Sequence, residues 1–106
     1  LNGKEKTMLT KRFFKTKQEA EVTFEFVAEA DTHVSLAGEF NDWQPVSMKY
    51  VKKDQVFRTK LRLPIEQDFQ FKYLINEQEW QNDHAADHYL LNEFGTDNSV
   101  VSTTRA

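Results

Sequence analysis

Two tryptophans, one lysine and a short polar loop hold most of the chemistry this sequence could perform. Trp43 stands in a turn just past a strand end, after Asn41-Asp42 and before Pro45. Trp80 follows a hairpin turn at Asn76-Glu77-Gln78, which brings its strand alongside the one bearing Lys72. Lys72 alternates with Phe71 and Tyr73, so it points to the other face of their strand. Glu93-Phe94-Gly95-Thr96-Asp97-Asn98 then places an exposed ring, a hydroxyl and an amide in one loop. Flat rings pack on the C–H faces of a sugar, and a cation, an amide and a hydroxyl bond its OH groups. Each residue also fits a plainer role. Trp43 and Trp80 could plug the ends of a core, Lys72 could lie on a solvated face, and Asn98 could cap a turn. Any β-sandwich with two Trp and a polar loop would carry such a set.

Catalytic chemistry has little to work with. Three glycines form no phosphate-binding loop, and no G-x-S-x-G elbow occurs. The absence of cysteine removes disulfides, thiolate nucleophiles and thiolate metal sites together. The carboxylates are scattered, and no acid pair suited to glycoside hydrolysis stands out. His84 and His88, flanked by Asp83 and Asp87, are the one cluster resembling a metal site. Histidines four apart share a face only on a helix, this segment has no helical pattern, and no third ligand is evident. The expectation is a binding domain, not an enzyme, with no metal and no cofactor.

These groups need a scaffold, and 106 residues suffice for one domain with a single core. The apolar share is 39%, with nine Phe, so burial rests on rings. A net charge of −3 leaves no footprint for nucleic acid or an anionic membrane, so neither is expected as a partner. No apolar run reaches about 18 residues, and no signal-peptide core opens the chain. The cysteine-free composition suits a reducing cytoplasm, the expected compartment. The sequence begins at Leu, which reads as clipped, tagged or cut from something longer. Met8 is then a natural start that leaves residues 1–7 as an extension, and residues 1–10 as a whole are expected to be an extension or a disordered start.

The elements follow from period-two alternation. Lys11, Arg12, Lys15 and Lys17 surround Phe13 and Phe14. Such a basic-aromatic run can contact nucleic acid, but it reads better as an edge strand whose lysines discourage pairing. Val22, Phe24, Phe26 and Ala28 share a face, and Val34, Leu36 and Phe40 form the next strand. A short strand is expected at Met48 and Tyr50, then a hairpin tip at Lys52-Lys53-Asp54-Gln55. Phe57, Thr59, Leu61 and Leu63 face inward, as do Phe69, Phe71, Tyr73 and Ile75. Residues 82–88 read as a polar loop. Short strands are expected at Tyr89-Leu90-Leu91 and at Val100-Val101. Roughly seven or eight strands with no helix point to an all-β, immunoglobulin-like antiparallel sandwich. A true immunoglobulin domain would add paired cysteines around a Trp, so the likeness is architectural.

Order adds what composition lacks. Gly38-Glu39-Phe40-Asn41-Asp42-Trp43, Phe69-Gln70-Phe71-Lys72-Tyr73, Trp80 and Phe94-Gly95-Thr96-Asp97-Asn98-Ser99-Val100 occur in succession across about residues 20–102. This succession resembles the glycogen- and starch-binding module of the isoamylase N-terminal, early-set family. That module precedes the barrel of branching and debranching enzymes and occurs in the β subunit of AMP-activated protein kinase. The resemblance implies non-catalytic binding of α-1,4-linked glucan, as polysaccharide or malto-oligosaccharide. It implies Trp43 and Trp80 as stacking platforms, Lys72 as the hydroxyl-binding cation, Asn98 as the amide and Thr96 as the hydroxyl. Phe94 matches a position where the kinase modules carry a leucine that pushes against the glucan. A glucan-metabolising enzyme is the partner this likeness suggests. The chain departs from the family in two places: Asn76-Glu77-Gln78-Glu79 stands where Asp-Gly is common, and Asp83-His84 where Asp-Pro is common. Two alternatives stand beside glucan binding: a protein–protein scaffold domain on the same fold, and an accessory N-terminal domain of a glucan-processing enzyme without a working sugar site.

Overall fold

Alternating apolar residues fold this chain into two antiparallel sheets with their apolar faces together, as a computed structural model describes for residues 6–105. The strands are β1 (Thr7–Phe13), β2 (Glu19–Phe26), β3 (Val34–Gly38), β4 (Val46–Ser47), β5 (Lys49–Val51), β6 (Val56–Pro64), β7 (Asp68–Ile75), β8 (Glu79–Gln81), β9 (His88–Leu91) and β10 (Asp97–Ser102). One sheet has four strands in the order β1-β2-β6-β5; the other has six, β4-β3-β7-β10-β9, with β8 added to β7. The all-β sandwich is as expected. Its ten described strands exceed the expected seven or eight, because short segments such as β4 and β5 pair as separate pieces. The two flank Met48, which is 5% exposed, and the chain changes sheets there.

Rings fill the space between the sheets. Val22, Phe24 and Phe26 of β2 and Phe57 and Leu63 of β6 face Val34 and Leu36 of β3 and Phe71, Tyr73 and Ile75 of β7. Phe24 meets Phe71 edge-on at 5.1 Å between centroids, and Phe26 meets Tyr73 at 5.1 Å. Such tilted contacts add to the stabilisation from burial alone. As anticipated, β1 with Lys11 and Arg12 is an edge strand, paired only with β2. Of the expected extension over residues 1–10, residues 1–5 lie outside the described residues. From Thr7 onward the chain is in β1, and Thr7 itself is 2% exposed.

The strand through Val34 and Leu36 does not reach Phe40. It ends at Gly38, and Glu39–Asn41 form a 3₁₀ turn that drops the Phe40 ring against Phe24, Phe69 and Phe71. β7 is the central strand of its sheet. One edge pairs with β3; the other is divided, with Asp68–Phe71 taken by β10 and Tyr73–Ile75 by β8. Lys72 lies at the seam. Among the described residues, no helix is long and apolar enough to cross a membrane.

Candidate functional site

Because Phe71, Tyr73 and Ile75 point into the core, Gln70, Lys72 and Leu74 face outward from the six-stranded sheet. Over this outer face lies a groove of about 910 Å³ lined by Glu39, Trp43, Gln70, Lys72, Trp80, Leu91, Asn92, Glu93, Phe94, Thr96 and Asn98. All six residues singled out in the sequence are among them. Three separate stretches supply the lining: the turn after β3, the β7–β8 hairpin and the β9–β10 connection.

The first stretch is built by close approach. Gly38 pairs with Phe71, and a Cβ there would sit 2.6 Å from the Gln70 carbonyl oxygen and 2.8 Å from Phe71 Cβ. Only glycine fits. Asn41 then locks the turn, its Oδ1 accepting from the Gly38 N–H at 2.9 Å and its Nδ2 donating to the Leu36 carbonyl at 3.2 Å. Asp42 and Trp43 follow in the left-handed region, with φ of 56° and 58°. That conformation is unfavourable for a bulky side chain. The Trp43 N–H donates to the Gly38 carbonyl at 2.8 Å, holding it there. The Trp43 side chain is thus set over the outer face, 37% exposed, and is not a core plug.

On the second stretch, Asn76 and Glu77 make the hairpin at φ of 52° and 59°, without the glycine that usually serves such a turn. Trp80 is 47% exposed. The hairpin lays the Trp80 strand alongside the one bearing Lys72, as expected, with the two residues offset. Trp80 lies directly opposite Leu74, so Lys72 and Trp80 are diagonal neighbours on one face. β8 ends at Gln81, and the Lys72 ammonium reaches instead toward Thr96 Oγ1 at 3.4 Å. At that length it keeps most of its donor capacity.

The third stretch depends on Asn92, which sequence reading passed over. Its Nδ2 donates to Thr96 Oγ1 at 2.8 Å and to Asn98 Oδ1 at 2.9 Å. Its Oδ1 accepts from the backbone N–H groups of Phe94 and Thr96 at 2.9 and 3.1 Å. One amide thereby uses its full capacity to set three site residues. Phe94 stands out at 82% exposed, and Leu91 beside it is 75% exposed. Asn98 is only 9% exposed, and its Nδ2 donates to Gln70 Oε1 at 3.0 Å. It therefore has one N–H and one lone pair to spare, fewer than a free amide. Glu39, also unforeseen, accepts from the Gln70 N–H at 2.8 Å.

The stretch read as a metal candidate has a different role. Asp83 is fully buried: its Oδ2 accepts from the Tyr73 hydroxyl at 2.6 Å and its Oδ1 from the Ala85 N–H at 2.7 Å. Its N–H donates to Ser99 Oγ, and its carbonyl accepts from the Tyr89 hydroxyl. Burial, with the Asp83 charge adding to it, holds the Tyr73 hydroxyl well above its ordinary pKa. Asp87 pairs with Lys11 at 2.6 Å, His88 lies 3.5 Å from Asp68, and His84 is exposed. Among the described residues, no group of three or more His, Asp or Glu side chains is arranged to hold a metal ion. Asp83 anchors the chain between Trp80 and β9 and so steadies two walls of the groove. Neither a protein-family model nor a curated protein matches the chain.

Proposed function

We propose that this chain is a non-catalytic module that binds α-1,4-linked glucan on the outer face of its six-stranded sheet. One observation carries the reading: Trp43 and Trp80, each with a large part of its surface in water, line one groove with Lys72, Thr96 and Asn98 between them. Had both indoles been buried, the scaffold alternative would have been favoured. Exposed apolar surface of this kind, rimmed by polar groups, marks a binding face. The indoles take the C–H faces of successive glucose units, Lys72 and the free capacity of Thr96 and Asn98 meet hydroxyls, and Phe94 presses on the chain from the loop. The ordered motifs, which resemble the isoamylase N-terminal module, support the same ligand class. An open platform of this kind binds with a dissociation constant of roughly micromolar to millimolar, about −8 to −4 kcal/mol.

The absence of catalysis is part of the proposal. The two carboxylates in the groove, Glu39 and Glu93, are both solvent-exposed. A general acid for glycoside cleavage is ordinarily desolvated. Calorimetry with maltohexaose and cellohexaose tests the reading, the curved α-linked chain giving heat and the straight chain little. Equal heats overturn it. Release of reducing sugar from glycogen, abolished by Glu39→Gln or Glu93→Gln, would overturn the non-catalytic part.

A further inference from the structure

The outer face of the four-stranded sheet, on the far side of the sandwich from the groove, carries a row of charged side chains, with β2 carboxylates between basic residues of β1 and β6. Register aligns Arg12, Glu21 and Arg62 across β1, β2 and β6. The Phe14 ring, just past β1, lies against this row. The guanidinium carbons of Arg12 and Arg62 are 5.0 and 4.5 Å from its centroid, and Lys17 Nζ is 5.6 Å away. Arg105 donates to the carbonyls of Phe14 and Lys17 at 2.7 and 3.1 Å, which fixes the loop that brings these charges together. Beside them runs a shallow cleft of about 540 Å³ lined by Lys17, Glu19, Arg62 and Pro64 among others. Two carboxylates answer part of the charge: Glu19 meets Arg62 at 3.4 Å and Glu21 meets Arg12 at 3.9 Å. Lys17 and Lys60 have no ion pair among the described residues. Lys60 stands two residues from Arg62 on the same face of β6.

We propose that this face docks an extended acidic segment of a partner protein. Arg12, Lys17, Lys60 and Arg62 outnumber Glu19 and Glu21 on this face of a chain whose net charge is −3, and charge complementarity selects the partner. Lys60 and Arg62 are spaced as residues i and i+2 of a strand, about 6.6 Å, which is also the spacing of alternate side chains in an extended peptide. Carboxylates at every second position therefore meet both cations in turn. Nucleic acid fits less well. The Phe14 ring already packs against three cations, which compete with a stacking base, and a long polyanion is repelled by the rest of the surface. The two outer faces are separate, so glucan and partner can be held at once.

The test uses an alternating Glu-Thr octapeptide, a Lys-Thr octapeptide and a single-stranded oligothymidylate as probes, with maltoheptaose titrated in parallel. At about 0.01 M salt, where screening extends over ~30 Å, the Glu-Thr peptide binds and the Lys-Thr peptide does not; binding weakens steeply by about 0.15 M. The double variant Lys17→Ala, Lys60→Ala removes two exposed side chains without an ion pair, so the fold is kept. It weakens peptide binding by about tenfold, as loss of two rim charges should, and leaves maltoheptaose affinity unchanged. No peptide binding at low salt, equal binding by the variant, or tighter binding of the oligothymidylate would each overturn the proposal. Because maltoheptaose is measured on the same samples, failure of this face and failure of the glucan reading give different results.

Discussion

Replacing Trp80 by Ala separates a recognition surface from a packing residue in one variant. A fully buried Trp removes roughly 200 Å² from water. Trp80 keeps 47% of its surface exposed, so the protein already covers about half of the ring and a ligand can cover the rest. At about 25 cal/mol per Å², each half of roughly 100 Å² corresponds to ~2.5 kcal/mol. The folding half is an upper estimate because denatured chains are partly compact, and Ala retains its Cβ. A loss of ~1–2 kcal/mol in stability is therefore expected. Buried Trp truncations, by comparison, cost about 3–5 kcal/mol. On the ligand side, losing ~1.5–2.5 kcal/mol raises the dissociation constant for maltoheptaose roughly 10- to 60-fold. A urea melt and a calorimetric titration on the same preparation give both numbers. A stability loss in the buried range with unchanged maltoheptaose affinity would show that Trp80 serves packing alone, and the groove would lose one of its two indoles.

Substitutions at three further positions have outcomes set by the geometry. Asn92→Ala removes four hydrogen bonds from one loop and should weaken maltoheptaose binding by about tenfold while lowering stability by only ~1–2 kcal/mol, since exposed bonds are replaced by water. Asn92→Asp keeps both acceptor contacts and should fall between Ala and wild type in the same titration. Gly38→Ala forces a methyl to within 2.6 Å of the Gln70 carbonyl oxygen and should lower the thermal midpoint by the equivalent of about 2 kcal/mol or more. Tyr73→Phe leaves Asp83 Oδ2 short of a donor and should cost about 1.5–3 kcal/mol at neutral pH. The Tyr73 pKa is raised in the folded state, so its stabilising contribution is complete below the unfolded value of about 10 and is lost as pH rises above it. The stability gap between wild type and Tyr73→Phe should therefore narrow above pH ~10, read from urea melts across that range.

How far the molecule can be read from its sequence depends on the range of the interactions. The β7 alternation of Phe69, Phe71, Tyr73 and Ile75 is a local pattern imposed by the pleat, and it appears in the structure as expected. Phe40 shares the spacing of β3, yet it reaches the core from a 3₁₀ turn, because Asn41 bonds Gly38 and bends the chain first. A side chain closing a turn on its own neighbours overrides periodicity. Trp80 falls opposite Leu74, two residues along β7 from Lys72, because an Asn76-Glu77 turn in left-handed conformation sets the pairing, and no Asp-Gly signal marks it. Asn92 and Asp83 carry no motif at all. The importance of Asp83 comes from partners far along the chain, Tyr73 and Ser99, and that of Asn92 from a loop whose shape only its own bonds define.

The divided edge of β7 bears on how the groove moves. β8 is held to the sheet by three residue pairs, Tyr73 to Gln81, Leu74 to Trp80 and Ile75 to Glu79, whereas β3 and β10 are stitched across the centre. A strand with so few partners opens locally, without the rest of the sandwich unfolding. The Trp80 ring rides on this lightly held piece, tethered downstream by Asp83. Amide hydrogens of residues 79–81 should therefore exchange orders of magnitude faster than those of Phe71 and Val101. A ligand that bridges Trp80 to Trp43 ties the opening segment to the permanent one, and the slowing of exchange should be concentrated in β8.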